Sequence, residues 1–292
     1  MVSAFSTAPT LSAVSFGGLG VAVAGPVLAW DGPENVFRAP GVAPTIVNLS
    51  AAAAPPSDAG LGHVLFDPGS FWKARSHPRG FAIAIENPAG SGRLARLAVT
   101  DPSWTAGEIT IHPDLPFPKH RTPALAWPLD TLITTSLLGH RDGLLVHGAG
   151  LAVDGTGYLF AGPSGAGKST MVKLLAPEPG VEVLNDERCI VRCEGNGWHL
   201  YGTPWHGEVE RVAYGGVPLG KVFLLAQAPE HAALPLGPAG AARRLFGRCL
   251  WPFWDRAGME GGLATLEALC RQVPCLVLEF HRDPGVLEWI VR

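Results

Sequence analysis

The chain has 292 residues, of which 16% are charged and 47% are hydrophobic. This composition excludes an intrinsically disordered protein, and the length fits two small domains or one large one at roughly 150 residues per domain. The formal net charge of −3 at pH 7 excludes a broadly basic nucleic-acid-binding protein.

The first part of the chain predicts short strands. Residues 2–30 carry no charge, but their prolines and glycines leave no apolar run of about 18 residues that could span a membrane. They also lack the positive start of a signal peptide. We therefore predict buried strands here and no membrane partner. Gly80–Glu86 and residues 93–100 predict two further strands, and residues 51–58 predict a turn or loose loop.

Residues 112–128 contain five prolines and no sustained periodicity, which predicts a linker or domain boundary. We accordingly predict an N-terminal β-rich domain over residues 1–124 and a second domain over residues 125–292. The second domain starts with a predicted helix over residues 128–139, with proline at its start and glycine at its end.

A β-hairpin is predicted next. Gly143–Val153 and residues 158–161 are apolar runs around Asp154 and Gly155, a dipeptide typical of tight hairpins. With the turn centred near residue 155, His147 pairs opposite residues 162–164. The hairpin thus predicts that His147 lies beside whatever follows the second strand, and that this strand has an antiparallel neighbour.

Residues 162–169 read Gly-Pro-Ser-Gly-Ala-Gly-Lys-Ser and match the P-loop pattern G-x-x-x-x-G-K-[ST], between a predicted strand and a helical run over residues 169–176. In such a loop backbone N–H groups hold phosphate oxygens, Lys168 contacts the β- and γ-phosphates, and the Ser169 hydroxyl binds Mg²⁺. We predict ATP and Mg²⁺ as cofactors, because the N-K-x-D motif of GTPases is absent. The predicted nucleotide-binding residues are Gly162, Pro163, Ser164, Gly165, Ala166, Gly167, Lys168, Ser169 and Thr170.

An acidic pair follows the next predicted strand. Val181–Asn185 is followed directly by Asp186 and Glu187, which offer carboxylates for Mg²⁺ and for accepting a proton. The alternative interpretation is a surface salt-bridge cluster.

These motifs resemble those of one known family. His147-Gly148, the hairpin, residues 162–169 and residues 185–188 occur in the order and near the spacing of the HPr kinase/phosphorylase family, in the superfamily of the ATP-type phosphoenolpyruvate carboxykinases. The resemblance covers residues 128–292, with residues 273–280 as the closing strand. It implies an α/β P-loop kinase domain with a mixed sheet, in which His147 is the active-site histidine.

The chain departs from the family pattern in two places. The paired aspartates of the family are Asp186 and Glu187 here, so either residue could accept the proton. The metal-binding Glu-Ile-Arg-Gly segment of the family is matched best by residues 207–211, which makes Glu208 a candidate metal ligand beside Ser169 and Asp186. The whole chain looks more like the HPr-kinase-like proteins that are encoded beside peptide-modification genes.

Three further segments have two interpretations each. Residues 201–208, with His206, form either a loop that lines a site or a turn over a structural tryptophan. A basic segment, with Arg243, Arg244 and Arg248, supplies either an arginine for the transferring phosphoryl group or a solvated helix face. An aromatic segment, with Trp251, Phe253 and Trp254, forms either an acceptor groove or part of the core. The five cysteines form no C-x-x-C pair and are predicted to be buried free thiols of a cytoplasmic protein.

The sequence as a whole predicts an ATP- and Mg²⁺-dependent kinase that transfers the γ-phosphoryl group to a hydroxyl, with serine expected, of a peptide, protein or small molecule. Asp186 or Glu187 accepts the hydroxyl proton, His147 orients that carboxylate or tunes its pKa, and Lys168 balances the developing charge. The alternatives are a non-catalytic ATP-binding regulatory or scaffold protein and a carboxykinase-like phosphoryl transferase. We predict no nucleic-acid partner, and the sequence leaves a homo-oligomer open.

Overall fold

Two mixed β-sheets with few helices form an α/β structure. The structure, a computed structural model, describes residues 10–25, 37, 45–87, 92–113, 125–195 and 197–292. The strands of the first sheet are β1 (Thr10–Phe16), β2 (Leu19–Gly25), β3 (Thr45–Ala53), β4 (Val64–Phe66), β5 (Trp72–His77), β6 (Gly80–Glu86), β7 (Leu94–Thr100) and β8 (Ala106–Ile111). The strands of the second sheet are β9 (Gly143–Val153), β10 (Thr156–Ala161), β11 (Val181–Asn185), β12 (Arg188–Glu194), β13 (Gly197–Tyr201), β14 (Gly216–Gln227), β15 (Ala232–Pro235), β16 (Cys249–Leu250) and β17 (Cys275–Phe280). The helices are α1 (Leu129–Gly139), α2 (Lys168–Leu175), α3 (Pro238–Phe246), α4 (Arg256–Gln272) and α5 (Val286–Val291).

The first sheet has the strand order β1-β2-β3-β8-β7-β6-β5-β4. The predicted strand Gly80–Glu86 is confirmed, and the one over residues 93–100 is β7. The loop predicted over residues 51–58 is wrong at its start, because residues 51–53 end β3, where they pair in parallel with β8. Alanine has a low intrinsic preference for strands, and the paired position overrides it. Most of the predicted linker over residues 112–128, and residues 2–9 and 26–30, lie outside the described residues.

The β9–β10 hairpin of the second sheet has the predicted register. Thr156 pairs with Val153, and Ala161 pairs with Gly148. Asp154 and Gly155 both have positive φ, 49° and 79°, as a tight hairpin turn of the right twist requires. On its other edge β10 pairs in parallel with β14, and β14 pairs in parallel with β17, so the sheet around the hairpin is mixed.

Strand β9 changes partners along its length. Its first half pairs with β12 and β16, and its second half pairs with β10 and β11. The change falls between His147, which pairs with Arg188, and Gly148, which pairs with Ala161. Backbone hydrogen bonds continue through this point, since His147 N–H donates to Arg248 O (2.7 Å) and Gly148 N–H donates to Glu187 O (3.0 Å).

The largest part of the core is shared by the two sheets. Helix α1 is buried along its whole length, and one apolar cluster contains Val21 and Ile83 from the first sheet together with Leu137 of α1 and Ile190 of the second sheet. The division into domains at residue 124 stays a prediction. Across the described residues, no helix combines the length and the apolar character needed to cross a membrane.

The five cysteines are free thiols, as predicted, but only three of them are buried. Cys189, Cys270 and Cys275 are buried, whereas Cys193 and Cys249 are partly exposed.

Candidate functional site

One cleft of about 370 Å³ collects most of the residues that the sequence predicted for the site. We call it the loop cleft. Its lining residues are His147, Ser164, Gly165, Gly167, Lys168, Ser169, Thr170, Lys173, Asp186, Glu187, Gly207, Glu208 and Gln227.

The loop over residues 162–167 connects the end of β10 to the start of α2. Gly167 precedes the helix with a φ of 103°, a conformation that favours glycine. A Cβ atom there would lie 2.7 Å from Cζ of Phe280, so the position is restricted by contact as well as by conformation. The loop therefore turns tightly against the end of β17.

Lys168 lies against this loop. Its Nζ donates to Gly162 O (3.0 Å) and Pro163 O (3.2 Å). Burial lowers the pKa of Lys168 from its usual 10.5, and the nearby charge of Arg248 lowers it further. Gly162, Pro163 and Ala166 do not line the cleft. Their place is in the loop backbone, where Ala166 N–H donates to Pro163 O (3.1 Å).

Asp186 is buried, and its carboxylate is held by the backbone of a distant loop. Oδ1 accepts from Gly207 N–H (2.7 Å) and Oδ2 accepts from Val209 N–H (2.9 Å). A Cβ atom at Gly207 would lie 2.8 Å from Oδ2 of Asp186, so the absence of a side chain at residue 207 permits this approach. Asp186 and Gly207 thus reach the cleft together.

Asn185 organises the same region, although sequence reasoning gave it no role. Its Oδ1 accepts from the N–H groups of Glu187 (2.7 Å) and Arg188 (2.8 Å), and its Nδ2 donates to Thr203 O (2.9 Å) and Trp205 O (3.0 Å). The side chain is fully buried. An amide at the end of an apolar strand, just before two carboxylates, was the available signal, because a buried amide must find partners.

Glu187, between β11 and β12, and His147, on β9, both line the cleft. Glu187 is partly buried, and its Oε1 lies 3.2 Å from Nη2 of Arg188. Burial lowers the pKa of His147 from 6.5, the charge of Lys168 lowers it further, and the charge of Glu187 opposes them. Among the described residues no hydrogen bond joins the His147 ring to Asp186 or Glu187, so the structure shows no direct bond through which the ring would orient either carboxylate. The negative charge of Glu187 favours the protonated form of the ring.

Glu208 lines the cleft but has a partner of the opposite charge. Its Oε2 lies 2.7 Å from Nζ of Lys173 on α2. This hydrogen bond lowers the pKa of the Glu208 carboxyl group from 4.5. The other carboxylate oxygen, Oε1, is left for a metal ion.

Of the three arginines in the basic segment, Arg248 lies nearest the loop cleft. Arg243 and Arg244 are exposed on α3. Arg248 follows that helix, and its charge lowers the pKa values of both His147 and Lys168.

The aromatic segment does not line the cleft. Trp251 and Trp254 are buried, which agrees with core packing rather than an acceptor groove. Phe253 is 53% exposed and stacks on Phe66 at 5.5 Å between ring centroids.

The segment over residues 201–208 fits both of its interpretations, at different residues. Gly207 and Glu208 line the cleft, whereas Trp205 donates from Nε1 to Oδ2 of Asp130 (2.6 Å). His206 is partly exposed and does not line the cleft.

Gln227 was missed by sequence reasoning. Its Nε2 donates to Gly165 O (2.8 Å), and it ends β14, which runs parallel to β10. The carboxyl ends of parallel strands share one edge of a sheet, where ligands bind in α/β proteins. That rule points to residue 227 only once the two strands are known to be neighbours.

The fold and the cleft define a mixed α/β protein with a glycine-rich loop, a lysine and two carboxylates at one sheet edge. The family model described as "SynChlorMet cassette protein ScmC" matches residues 127–278, more than half of the chain, and the chain belongs to this family. No curated protein matches the chain. Among solved structures, the chain is similar to the Hpr(Ser) kinase/phosphatase from Coxiella burnetii, with 14% identity, a TM-score of 0.29, and coverage of 51% of this chain and 93% of that one.

Proposed function

We propose that this protein is an ATP- and Mg²⁺-dependent kinase that transfers the γ-phosphoryl group to a hydroxyl, with serine expected, of a peptide, protein or small molecule. The proposal rests on one observation: the loop cleft contains the glycine-rich loop, Lys168, both carboxylates of the acidic pair and His147. We also propose that residues 125–292 form a P-loop kinase domain of the HPr kinase/phosphorylase type.

The donor set suits magnesium. Ser169 and Asp186 both line the cleft, and hydroxyl and carboxylate oxygens are ligands that Mg²⁺ prefers. Each oxygen of Asp186 accepts one backbone N–H, which leaves lone pairs for a metal. We propose Ser169 and Asp186 as the principal ligands, with Glu208 as a third through the oxygen that does not contact Lys173. Bound Mg²⁺ would neutralise charge on the phosphates.

The loop suits a triphosphate. Gly165 and Gly167 have positive φ, so the loop backbone can turn its N–H groups toward an anion, and α2 presents its N-terminus there. In our proposal Lys168 exchanges its two loop carbonyls for phosphate oxygens, because its ammonium group makes stronger hydrogen bonds to charged oxygens.

The two carboxylates suit different tasks. Asp186 is fixed by two backbone N–H groups, as a metal ligand should be, whereas Glu187 has one ion-pair partner and borders the cleft. We propose that Glu187 accepts the proton of the acceptor hydroxyl while that oxygen bonds to the γ-phosphorus. The bond between the γ-phosphorus and the bridging oxygen then breaks, and ADP leaves. His147, neutral at pH 7 because its pKa is lowered, positions the hydroxyl or the Glu187 carboxylate.

The experiment is incubation with γ-labelled ATP, Mg²⁺ and hydroxyl-bearing peptides or metabolites. Lys168→Ala is expected to lower phosphoryl transfer by at least about 10³-fold, or about 4 kcal/mol of transition-state stabilisation. Lys73→Ala is the matched control, since Lys73 lies on β5 of the other sheet and pairs with Asp67. Transfer by Lys168→Ala at the wild-type rate would contradict the proposal. ATP binding without transfer to any acceptor would favour the regulatory or scaffold alternative.

We further propose that the protein is cytoplasmic and has no nucleic-acid and no membrane partner. The first sheet, in our proposal, helps to dock the acceptor or mediates assembly as a homo-oligomer.

A further inference from the structure

Three side chains outside the loop cleft form a second cluster of metal-binding groups. His231, His281 and Asp283 each place one ligand atom within 4.8 Å of the other two. His231 precedes β15, while His281 and Asp283 follow β17. Because β15 and β17 are antiparallel neighbours in which Ala232 pairs with Glu279, the start of one strand lies beside the end of the other. We call these three residues the histidine cluster.

His231 is the most buried member of this cluster. Its side chain is only 10% exposed, and both ring nitrogens are buried without a hydrogen-bond partner in the described structure. The ring stacks on that of His281, with centroids 4.1 Å apart and an angle of 9° between the planes. Because the two rings are nearly parallel, one ion cannot lie in the planes of both, so metal binding requires the exposed His281 ring to turn out of the stack. A buried polar group without a partner is rare in proteins and points to a ligand.

The distances are close to those of a metal site. Tetrahedral bonds of about 2.0–2.2 Å from a metal to nitrogen or oxygen place two ligand atoms about 3.3–3.6 Å apart. Nε2 of His231 and Oδ1 of Asp283 are 3.9 Å apart, and no two of the three ligand atoms are more than 4.8 Å apart. Closing the site requires movements of about 1 Å, which the exposed side chains of His281 and Asp283 can make by rotation.

The turn that carries two of the ligands is ordered by its own hydrogen bonds. Asp283 N–H donates to His281 O (2.9 Å), and Oδ1 of Asp283 accepts from Gly285 N–H (2.8 Å). This oxygen keeps a second lone pair, and it is the one that faces His231. The carboxylate is therefore held on the side of the cluster where a metal would bind.

We propose that the histidine cluster binds a divalent first-row transition-metal ion of the Zn²⁺ type. Two imidazole nitrogens and one carboxylate oxygen are the ligands of such ions, with water in the fourth position. Mg²⁺ and Ca²⁺ prefer oxygen ligands alone, so this site would be chemically distinct from the magnesium site in the loop cleft. The inference does not depend on the proposed kinase activity.

The histidine cluster lies beside the loop cleft. His281 also lines a cavity of about 180 Å³ with Gly167, Thr170 and Gln227, and Gly167, Thr170 and Gln227 line the loop cleft as well. Metal at the cluster would join β15 to the turn after β17, beside the phosphate-binding loop.

The test is a zinc titration of the untagged chain against a chromophoric chelator, with Mg²⁺ in excess. Wild type is expected to bind one zinc ion per chain, and His231→Ala, His281→Ala and Asp283→Asn are each expected to weaken binding at least about tenfold. His63→Ala is the control, because His63 is exposed just before β4 of the other sheet and its Nδ1 bonds to Oγ of Ser76 (3.0 Å). His281→Ala and Asp283→Asn change exposed side chains, so they carry the test should His231→Ala fold poorly.

Cobalt adds a readout of the ligands. Co²⁺ bound at the cluster is expected to show the visible absorption of a low-coordinate nitrogen and oxygen site, without a sulfur-to-metal charge-transfer band. A sulfur band would place the ion at the cysteines and overturn the proposal. Wild-type zinc affinity in all three cluster variants would overturn it as well.

Discussion

At the scale of single residues, Asp186 depends on a position that carries no side chain. The two N–H groups that hold its carboxylate belong to residues 207 and 209, and Gly207 leaves room for the approach. The orientation of the proposed metal ligand is thus set by a loop 21 residues further along the chain.

Gly207→Ala is expected to displace Asp186, because the new Cβ would lie 2.8 Å from Oδ2. We expect a loss of at least about tenfold in Mg²⁺-dependent turnover and a cost of about 1–2 kcal/mol in stability. Gly237→Ala is the control, since a Cβ there meets nothing within 4 Å. Turnover and denaturant titrations measure the two effects. If both variants turn over equally, the contact at residue 207 does not position Asp186.

His147 is expected to set the acid side of the pH–rate profile. Burial and the charge of Lys168 lower its pKa below 6.5, so the imidazole is neutral at pH 7 and gains a proton only at more acidic pH. If catalysis requires the neutral ring, kcat falls as the pH drops through that range.

His147→Gln should remove this acid limb and lower kcat by about 10²-fold, within the usual range for acid–base groups, with little change in the KM for ATP. The measurement is kcat against pH for both proteins. An identical acid limb in the variant would assign the titration to another group.

At the scale of elements, the loop over residues 202–209 is anchored from two sides. Asn185 binds the carbonyls of Thr203 and Trp205, and the indole of Trp205 binds the buried carboxyl group of Asp130 on α1. Helix α1 therefore supports the loop that holds Asp186.

Trp205→Phe should destabilise the protein by about 1–3 kcal/mol, the cost of leaving a buried polar group without its partner. Burial raises the pKa of Asp130, and the indole bond opposes that rise. Ionisation of unfolded Asp130 is the same in both proteins, whereas loss of the indole bond raises the pKa of folded Asp130 further. The substitution is therefore expected to cost more at pH 7, where more of this carboxyl group is ionised, than near pH 4. Urea unfolding at both pH values measures this difference. The same cost in Trp289→Phe, a substitution on the partly exposed face of α5, would show that the indole bond is not its source.

Elements built from neighbouring segments could be predicted from the sequence. The register of the β9–β10 hairpin follows from its turn, and the glycine-rich loop and the acidic pair follow from local motifs. Gln227, the choice of Arg248 among the three candidate arginines, and the contact of Gly207 with Asp186 could not be predicted, because each depends on which distant strands and loops become neighbours. The distinction is between contacts that chain geometry dictates and contacts that only tertiary packing creates.

At the scale of the whole molecule, the two sheets are joined by a buried polar contact as well as by a common core. Oδ2 of Asp255 accepts from Nε1 of Trp104 (2.8 Å) and lies 2.7 Å from Nε2 of His140. Trp104 belongs to the proposed N-terminal domain, whereas Asp255 and His140 belong to the second. The proposed domains should therefore unfold together.

Trp104→Phe removes the donor to Asp255 and should cost about 1.5–3 kcal/mol, as for hydrogen bonds to charged groups. We expect one cooperative urea transition in wild type and variant, with coincident curves from fluorescence and circular dichroism. Two separate transitions, only one of them shifted by the variant, would show that the domains unfold independently.

Strand β9 has a consequence for native-state hydrogen exchange. Its two halves have different partner strands, and the backbone bonds at His147 and Gly148 connect β9 to Arg248 and Glu187. Because β9 has partner strands on both sides, we expect these amides to exchange more slowly than amides at the sheet edges. The amides beside the site are then expected to be among those with the slowest hydrogen exchange in the molecule. A bound nucleotide should slow their exchange further, by the factor with which it favours the folded state.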